Sequence, residues 1–354
     1  MAMDQDISDA LAGQVSEAAQ QEVALRIEGS GSKRFLGHEV AGEVLSVAGH
    51  CGVISYEPVE LVLTARAGTP LSEIESLLAD NRQMLAFEPP HYGAHATLGG
   101  TVACNLSGPR RPYAGSARDF VLGTRILNGR GEILRFGGEV MKNVAGYDLS
   151  RLMAGSFGTL GVMLDISLKV LPCPQAELTL TQELSAAEAL QRMNEWAARP
   201  LPLSGAFHDG ERLCLRLSGA ASAVAAAHRH LGGEVVDDAA ALWRGLREHE
   251  FGFFRHDAPL WRLSVASTAQ LPDLPGRWLL DWGGAQRWYV GDASPEEVRR
   301  AAEYADGHAT LYRGWEGEPH FHPPAAPIAA LHKRLKAALD PAGIFNPGRL
   351  YAGL

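Results

Sequence analysis

The stretch TLGGTVACNLSG, Thr97 to Gly108, holds twelve residues and no charge. Two adjacent glycines are followed by small residues, and a single Asn interrupts an apolar run. A plain turn needs one glycine or an Asn-Gly pair, so this stretch is barer than a turn requires. Glycine lets another group approach the main chain with no Cβ in the way. Something is therefore expected to lie close to this backbone.

The surroundings sharpen the question. Gly93 to Gly161 contains 14 glycines in 69 residues, about three times the usual share of about 7%. No short unit repeats, and strand signals interrupt the run, so these are glycines at specific places. Three stretches suit the binding of an anion by main-chain amides: Gly29-Ser30-Gly31-Ser32 directly after a strand, Gly99-Gly100 before a weakly helical TVACN, and Gly155 to Gly161 leading into a strand. Free N–H groups at bends and helix starts cradle phosphates, here largely without basic side chains. Each loop read singly fits a turn or close packing as well. Gly155-x-x-Gly158-x-x-Gly161 precedes a strand rather than a helix, which argues against a nicotinamide fold, and no GxxxxGK[ST] occurs.

Outside these loops the periodicities are ordinary. Residues 6–22 read as an amphipathic helix with Leu11, Val15 and Ala18 on one stripe. Strands are expected at 23–27, 52–56, 60–66, 120–127, 132–136 and 162–170, with a helix opening at Pro70. Leu171-Pro172-Cys173-Pro174 is a boundary. Beyond it, strand 176–183, helix 185–198, a hairpin over 203–217 turning at Asp209-Gly210, helix 219–231 and strand 234–236 spell βαββαβ, the ferredoxin-like order. A less regular stretch follows, with strands near 260–266, 277–282, 286–290 and 308–312, a helix at 294–305 and a final helix from Ala325 to Leu339. The expected divisions are 1–172, 173–314 and 315–354.

Composition narrows the class. The chain has 354 residues, 46% hydrophobic and 21% charged, with a net charge of −9, which suits a globular protein and argues against a nucleic-acid surface. MAMDQDISDA lacks a signal-peptide pattern, and no run of about 18 apolar residues predicts a membrane span. Cys51, Cys104, Cys173 and Cys214 are far apart with no CxxC; this spacing disfavours iron–sulfur and zinc sites and suits reduced thiols in the cytoplasm.

The loops in this order resemble the PCMH-type FAD-binding domain of the vanillyl-alcohol oxidase superfamily. Within it the chain resembles the E subunits of bacterial glycolate oxidases, beside the D-2-hydroxyacid dehydrogenases. The resemblance rests on LRIEGSGSK (25–33), ATLGGTVACNLSGPRRPYAGSARDFVLG (96–123), KNVAGYDLSRLMAGSFGTLGV (142–162), DWGGAQRW (281–288) and DPAGIFNPGRL (340–350). It implies an α+β fold: a two-lobed FAD-binding domain plus the ferredoxin-like cap, with the carboxy-terminal helix and tail returning to the FAD domain. It further implies FAD contact by Gly29, Ser30, Gly31, Ser32 and Lys33, with Thr97, Gly99, Gly100 and Asn105 opposite. Gly115, Ser116, Gly155, Gly158, Thr159, Gly161 and Val162 complete the implied set. Many relatives carry a flavin-linked histidine in the first loop, but Glu28 to Leu36 contains none, so non-covalent FAD is expected; Cys104 reads as a buried thiol.

Oxidising a 2-hydroxy acid calls for a carboxylate clamp and a base. Arg110, Arg111 and Arg287 are the clamp candidates, because the arginine fork matches a carboxylate; each also fits a loop contact or packing role. His320 and His322, two apart in PHFHPP, are the base candidates. No GDGN-type metal motif occurs and no resident metal is expected. The resemblance implies an FAD-linked oxidoreductase working as one subunit of a complex, beside a larger FAD-containing glycolate oxidase subunit and an iron–sulfur subunit, with any membrane association made through those partners. A self-sufficient oxidoreductase of another substrate, or a non-catalytic scaffold, are the other readings.

Overall fold

A computed structural model describes residues 4–138, 148–314 and 317–354. They form two compact units. The first comprises Met1–Ser107, Ser116–Pro172 and Pro323–Leu354; the second comprises Gly108–Gly115 and Cys173–His322. The part of the third quoted motif from Lys142 to Tyr147 lies outside the described residues.

The first unit is built on a five-stranded antiparallel sheet in the order Val53–Glu57, Val62–Arg66, Val162–Lys169, Val121–Leu127, Ile133–Gly137. The central strand, Val162–Lys169, is buried along nearly its whole length, as a strand covered on both faces must be. Asn128 shapes the turn after Leu127, its Oδ1 accepting from Arg130 N (2.9 Å) and Glu132 N (3.0 Å). A separate parallel pair joins Leu25–Glu28 to Glu43–Ser46. The first helix, Ser8–Gln21, places Leu11, Val15 and Ala18 in a core that also holds Leu45, Val162, Leu164, Ile344 and Phe345. The last two come from the carboxy-terminal segment, so the chain's end is part of this core.

In the second unit eight strands form one antiparallel sheet: Glu234–Val235, Ala176–Glu183, Arg212–Gly219, Leu203–His208, Arg277–Asp281, Gln286–Val290, Leu260–Ser264, His308–Arg313. The first four, with helices Ala186–Ala197 and Ala221–Leu231, have the 4-1-3-2 order of the ferredoxin-like pattern. Ser185 starts the first of these helices through a capping box with Glu188. Between the two halves of the sheet the described register is a single pair, His208 with Leu280. A helix absent from the sequence reading, Ala239–Arg247, is capped by Asp238 and buries Trp243 and Leu246.

One ring in this unit makes stability depend on pH. His249 stacks on Phe254 (centroids 4.0 Å apart) and meets Trp288 edge-on at 4.6 Å. Burial, with the cations Arg313 and Arg262 nearby, pushes its pKa down to about 3. In the unfolded chain the imidazole titrates near 6.5 and takes up a proton that the folded ring refuses. The contribution is therefore whole above about pH 6.5 and drains away as pH falls toward 3, by up to about 1.4 kcal/mol per pH unit. Unfolding free energies measured between pH 7 and 4 are expected to show this slope. His249→Asn, which tolerates the φ of 59° at this position, is expected to flatten it; an unchanged slope would assign it to other groups.

Candidate functional site

The first unit contains a cavity walled mainly by Arg26 to Arg34, residues between Thr97 and Cys104, residues between Phe157 and Met163, and Asn346 with Arg349, with Val40, Val47 and Ala67 filling in. The three glycine-rich stretches thus meet around one space. Of the residues that the resemblance assigns to FAD, Gly29, Ser30, Gly31, Ser32, Lys33, Thr97, Gly99, Gly100, Gly158, Gly161 and Val162 line it.

Five others do not, and each has an intramolecular job. Asn105 ends the helix Leu98–Cys104 in the left-handed conformation and accepts from Arg118 N (3.0 Å). Ser116 makes a capping box with Asp119 for the helix Ala117–Phe120, and Gly115 falls in the second unit. Gly155 N donates to Val102 O at 3.1 Å. Thr159 Oγ1 donates to Ser156 O (2.7 Å), and its carbonyl accepts from Lys336 Nζ (2.9 Å).

The geometry revises why the opening stretch is bare. A Cβ on Gly99 would stand 2.7 Å from the Ala67 Cβ, and one on Gly29 would collide with Thr97 Oγ1. These two glycines let neighbouring segments of the protein close on one another. Gly100 is different: the nearest atom to its Cβ position is Thr97 Oγ1 at 3.2 Å, so no packing demand explains it.

The donors differ from the expectation too. The amides at the start of helix Leu98–Cys104 are all used within the protein: Leu98 N on Thr69 O (2.9 Å), Gly99 N on Ala67 O (2.7 Å), Gly100 N on Thr97 Oγ1 (3.3 Å) and Thr101 N on Thr97 O (3.1 Å). The helix start is therefore not the free-amide cradle that the sequence suggested. In the first loop, by contrast, the amides of Ser30 and Gly31 have no acceptor among the described residues. Gly31 has φ of 73°, a conformation that turns successive amides toward one side of a loop.

A cradle largely without basic side chains is also corrected. Arg26, Lys33, Arg34 and Arg349 stand on the wall against one carboxylate, Glu28, which is already paired with Arg26 (2.9 Å) and Arg34 (2.7 Å). In a chain of net charge −9 this is a concentrated positive site, and the low-dielectric wall focuses its field. Lys33 is only 6% exposed, and its Nζ donates to His91 O (3.2 Å) and Ser32 Oγ (3.3 Å). Arg349 and Asn346 line the cavity without a sequence signal of their own. DPAGIFNPGRL marked the segment, but nothing in it signals which distant backbone its side chains reach. Cys104 also lines the cavity; burial pushes its thiol up, which keeps it protonated and unreactive at neutral pH.

The residues proposed for chemistry stand in the second unit and are engaged there. Arg287 is fully buried, and its guanidinium donates to Gly284 O (3.0 Å), Gln270 O (2.8 Å) and Ala269 O. All three of its nitrogens thus hold backbone, and burial pulls its pKa down to about 10. Arg110 pairs with Glu177 at 2.7 Å and reaches Ser218 Oγ at 3.3 Å. Arg111 lies 4.3 Å above the Trp282 ring, the packed arrangement that cation–π attraction favours. His320 Nδ1 meets Leu311 O (2.9 Å), whereas His322 pairs with Glu303 (3.2 Å). The structure does not bring these five to one point.

Comparison with known proteins decides the family. A model of an FAD binding domain matches residues 7–137. Over 349 residues the chain is 53% identical to the glycolate oxidase subunit GlcE of Escherichia coli K12, covering 99% of both chains. The chain belongs to the glycolate oxidase subunit GlcE family. Part of the chain is also similar to other curated proteins. It is 36% identical over 119 residues to the glycolate oxidase subunit GlcD of Bacillus subtilis, covering 33% of this chain and 25% of that one. It is 32% identical over 139 residues to a D-lactate dehydrogenase of Anaerostipes hadrus, covering 39% and 29%. Among solved structures, an alkyldihydroxyacetonephosphate synthase matches with a TM-score of 0.65 at 14% identity, over 96% of this chain and 75% of that one; this likeness concerns the fold.

The GlcE-family chain thus has an α+β, PCMH-type FAD-binding fold with an additional β-sheet cap domain. The cavity fits FAD on its own chemistry: orphan amides, a positive wall and one glycine without a packing role all suit a dinucleotide's phosphates. Among the described residues no helix is long and apolar enough to cross a membrane, and no group of three or more His, Cys, Asp or Glu could hold a metal ion.

Proposed function

We propose that this chain is the FAD-binding subunit of a glycolate oxidase-type complex that oxidises glycolate or a related D-2-hydroxy acid to the 2-oxo acid. The observation that carries this reading is 53% identity over 99% of the length of a GlcE subunit, joined to a cavity whose wall suits a dinucleotide. FAD, when bound, supplies the acceptor for the hydride leaving the hydroxyl-bearing carbon. The chain's part is to hold the diphosphate on Ser30, Gly31 and the positive wall, and to keep water from the cofactor with Val162, Phe157 and Val40.

The complex is completed by a larger FAD-containing subunit and an iron–sulfur subunit. Two features support a divided enzyme. The candidate clamp and base residues are spent on backbone, on Glu177, on the Trp282 ring or on Glu303, and the four cysteines are free and scattered, so cluster ligands must come from elsewhere. The same free thiols suit a cytoplasmic location. Attachment of FAD is non-covalent in this reading, because no histidine is among the described residues lining the cavity and burial keeps Cys104 protonated.

The test is the visible spectrum of the chain purified alone, followed by anaerobic glycolate and D-lactate. The expected result is a flavin spectrum that neither acid bleaches until the partner subunits are added, with acid precipitation releasing all the flavin. Bleaching by either acid alone would make the chain self-sufficient, and flavin retained in the acid pellet would show a covalent bond. No flavin after incubation with FAD would leave a scaffold.

A further inference from the structure

We propose that Arg349 is the positioning residue that couples the FAD phosphates to the carboxy-terminal segment; this rests on the FAD reading above. Arg349 is 9% exposed and lines the cavity. Its Nη1 donates to His38 O (2.7 Å), and its Nη2 donates to Arg34 O (2.9 Å) and Lys33 O (3.4 Å). The Arg349 carbonyl in turn accepts from His38 N at 3.1 Å.

Every one of these acceptors is neutral. Among the described residues Arg349 has no ion pair, and Glu28, the one carboxylate on the wall, already has two partners. A guanidinium taken out of water needs compensation, and carbonyl dipoles provide only part of it. The loop that Arg349 holds, 29–38, has no helix or strand of its own and carries the orphan amides of Ser30 and Gly31. A cation compensated only in part, by carbonyls and by the field of Glu28, and unsatisfied donors thus share one cavity. A single ligand with negative charge and several acceptor oxygens satisfies both, and a pyrophosphate is such a ligand.

The segment bearing Arg349 is itself tied down. Asn346 Oδ1 accepts from Ile27 N (2.8 Å) while its Nδ2 donates to Phe157 O (2.7 Å), so one side chain joins the strand before the first loop to the third loop. Phosphate binding and docking of residues 340–350 are therefore linked, each favouring the other.

The experiment uses the full chain stripped of flavin, with FAD, ADP and riboflavin as probes, titrated by calorimetry and fluorescence. Wild type comes first: failure to bind FAD overturns the FAD reading and this proposal together. Given binding, Arg349→Met is expected to weaken FAD and ADP by at least about 30-fold, the scale for removing a buried charge from a bound anion. Riboflavin, which has no phosphate, is expected to keep its affinity within about threefold on the same reasoning. Arg349→Lys, which keeps the charge but not the fork, is expected to fall between. Equal losses for FAD and riboflavin would reduce Arg349 to a strut for the loop, and unchanged FAD affinity would remove its role. Should Arg349→Met not fold, wild type decides: ADP affinity must fall with salt while riboflavin affinity holds, and parallel behaviour of the two overturns the proposal.

Discussion

Gly100→Glu is expected to abolish FAD retention by the chain while leaving its fold standing. Gly100 is the third residue of the helix Leu98–Cys104, capped by Thr97, whose Oγ1 accepts Gly100 N. A Cβ there has only that Oγ1 at 3.2 Å to displace. Thr-x-x-Glu is the capping-box pattern, and a carboxylate in the first turn suits the helix dipole. Replacing glycine inside a helix also recovers up to about 1 kcal/mol of propensity. The flavin-free variant should therefore melt no lower than the flavin-free wild type. Against the dinucleotide the same carboxylate places a like charge on the cavity wall, which costs several kcal/mol, roughly a 100-fold loss of affinity or more. In Gly99→Ala the new Cβ would press on Ala67, both Cβ and carbonyl, so flavin loss there would report a damaged fold. The check is the melting midpoint of flavin-free protein beside FAD titration of each variant. A folded Gly100→Glu chain with full flavin would put the dinucleotide elsewhere.

Local signals made most elements legible. Ser185 with Glu188 and Ser294 with Glu297 start helices through capping boxes, and Leu11, Val15 and Ala18 fall on the buried stripe that their spacing predicts. Where the signal was weak, reading failed for a physical reason. Glu43–Ser46 exposes three of its four residues and shows no apolar alternation; its pairing with Leu25–Glu28 is the only thing that makes it a strand. The helix Ala239–Arg247 did carry a signal, Asp238 at its cap with Trp243 and Leu246 three apart, but Gly245 weakened it. Gly245 is there for close packing, since a Cβ would stand 2.7 Å from the Phe251 ring.

The site was legible as a set of segments and much less so as a set of roles. Gly29 and Gly99 drew notice as phosphate glycines, yet their missing side chains admit Thr97 and Ala67. A glycine needed for a ligand and one needed for a neighbouring strand look alike until the neighbour is known. Arg349 shows the converse difficulty. Its acceptors are the carbonyls of Lys33, Arg34 and His38, more than 300 residues away, and backbone acceptors leave no mark in composition or periodicity. Arg110 and Arg111, read as part of the glycine-rich region, fold instead with the second unit, where Glu177 and Trp282 hold them.

The largest loss of stability is expected at Asp340, where the carboxy-terminal segment is pinned. Asp340 is 1% exposed and Lys336 8%. The Asp340 carboxylate accepts from Lys336 Nζ (2.7 Å), Ile344 N (3.2 Å) and Phe345 N (2.8 Å). Asp340→Ala would leave the ammonium buried on two carbonyls, Thr159 O and Phe345 O, and would orphan both amides. Breaking such a pair costs about 3–5 kcal/mol, on the order of 10 °C in melting midpoint for a unit of this size. Because Ile344 and Phe345 belong to the core around Leu11 and Leu45, the loss reaches the heart of the first unit. The pH response separates the charge from the packing. Burial lowers the Lys336 pKa and Asp340 holds it up; without the carboxylate the folded amine sheds its proton more readily than the unfolded one. Stability of the variant must then rise with pH toward the unfolded value near 10.4, so its deficit is smaller at pH 10 than at pH 7. The double variant Lys336→Met with Asp340→Leu, which removes both charges, is expected to be more stable than Asp340→Ala alone. Denaturant unfolding of the three proteins at both pH values decides the matter. A deficit below about 1 kcal/mol, with flavin affinity unchanged, would mean that Ile344 and Phe345 dock the segment by burial alone and that the ion pair is incidental.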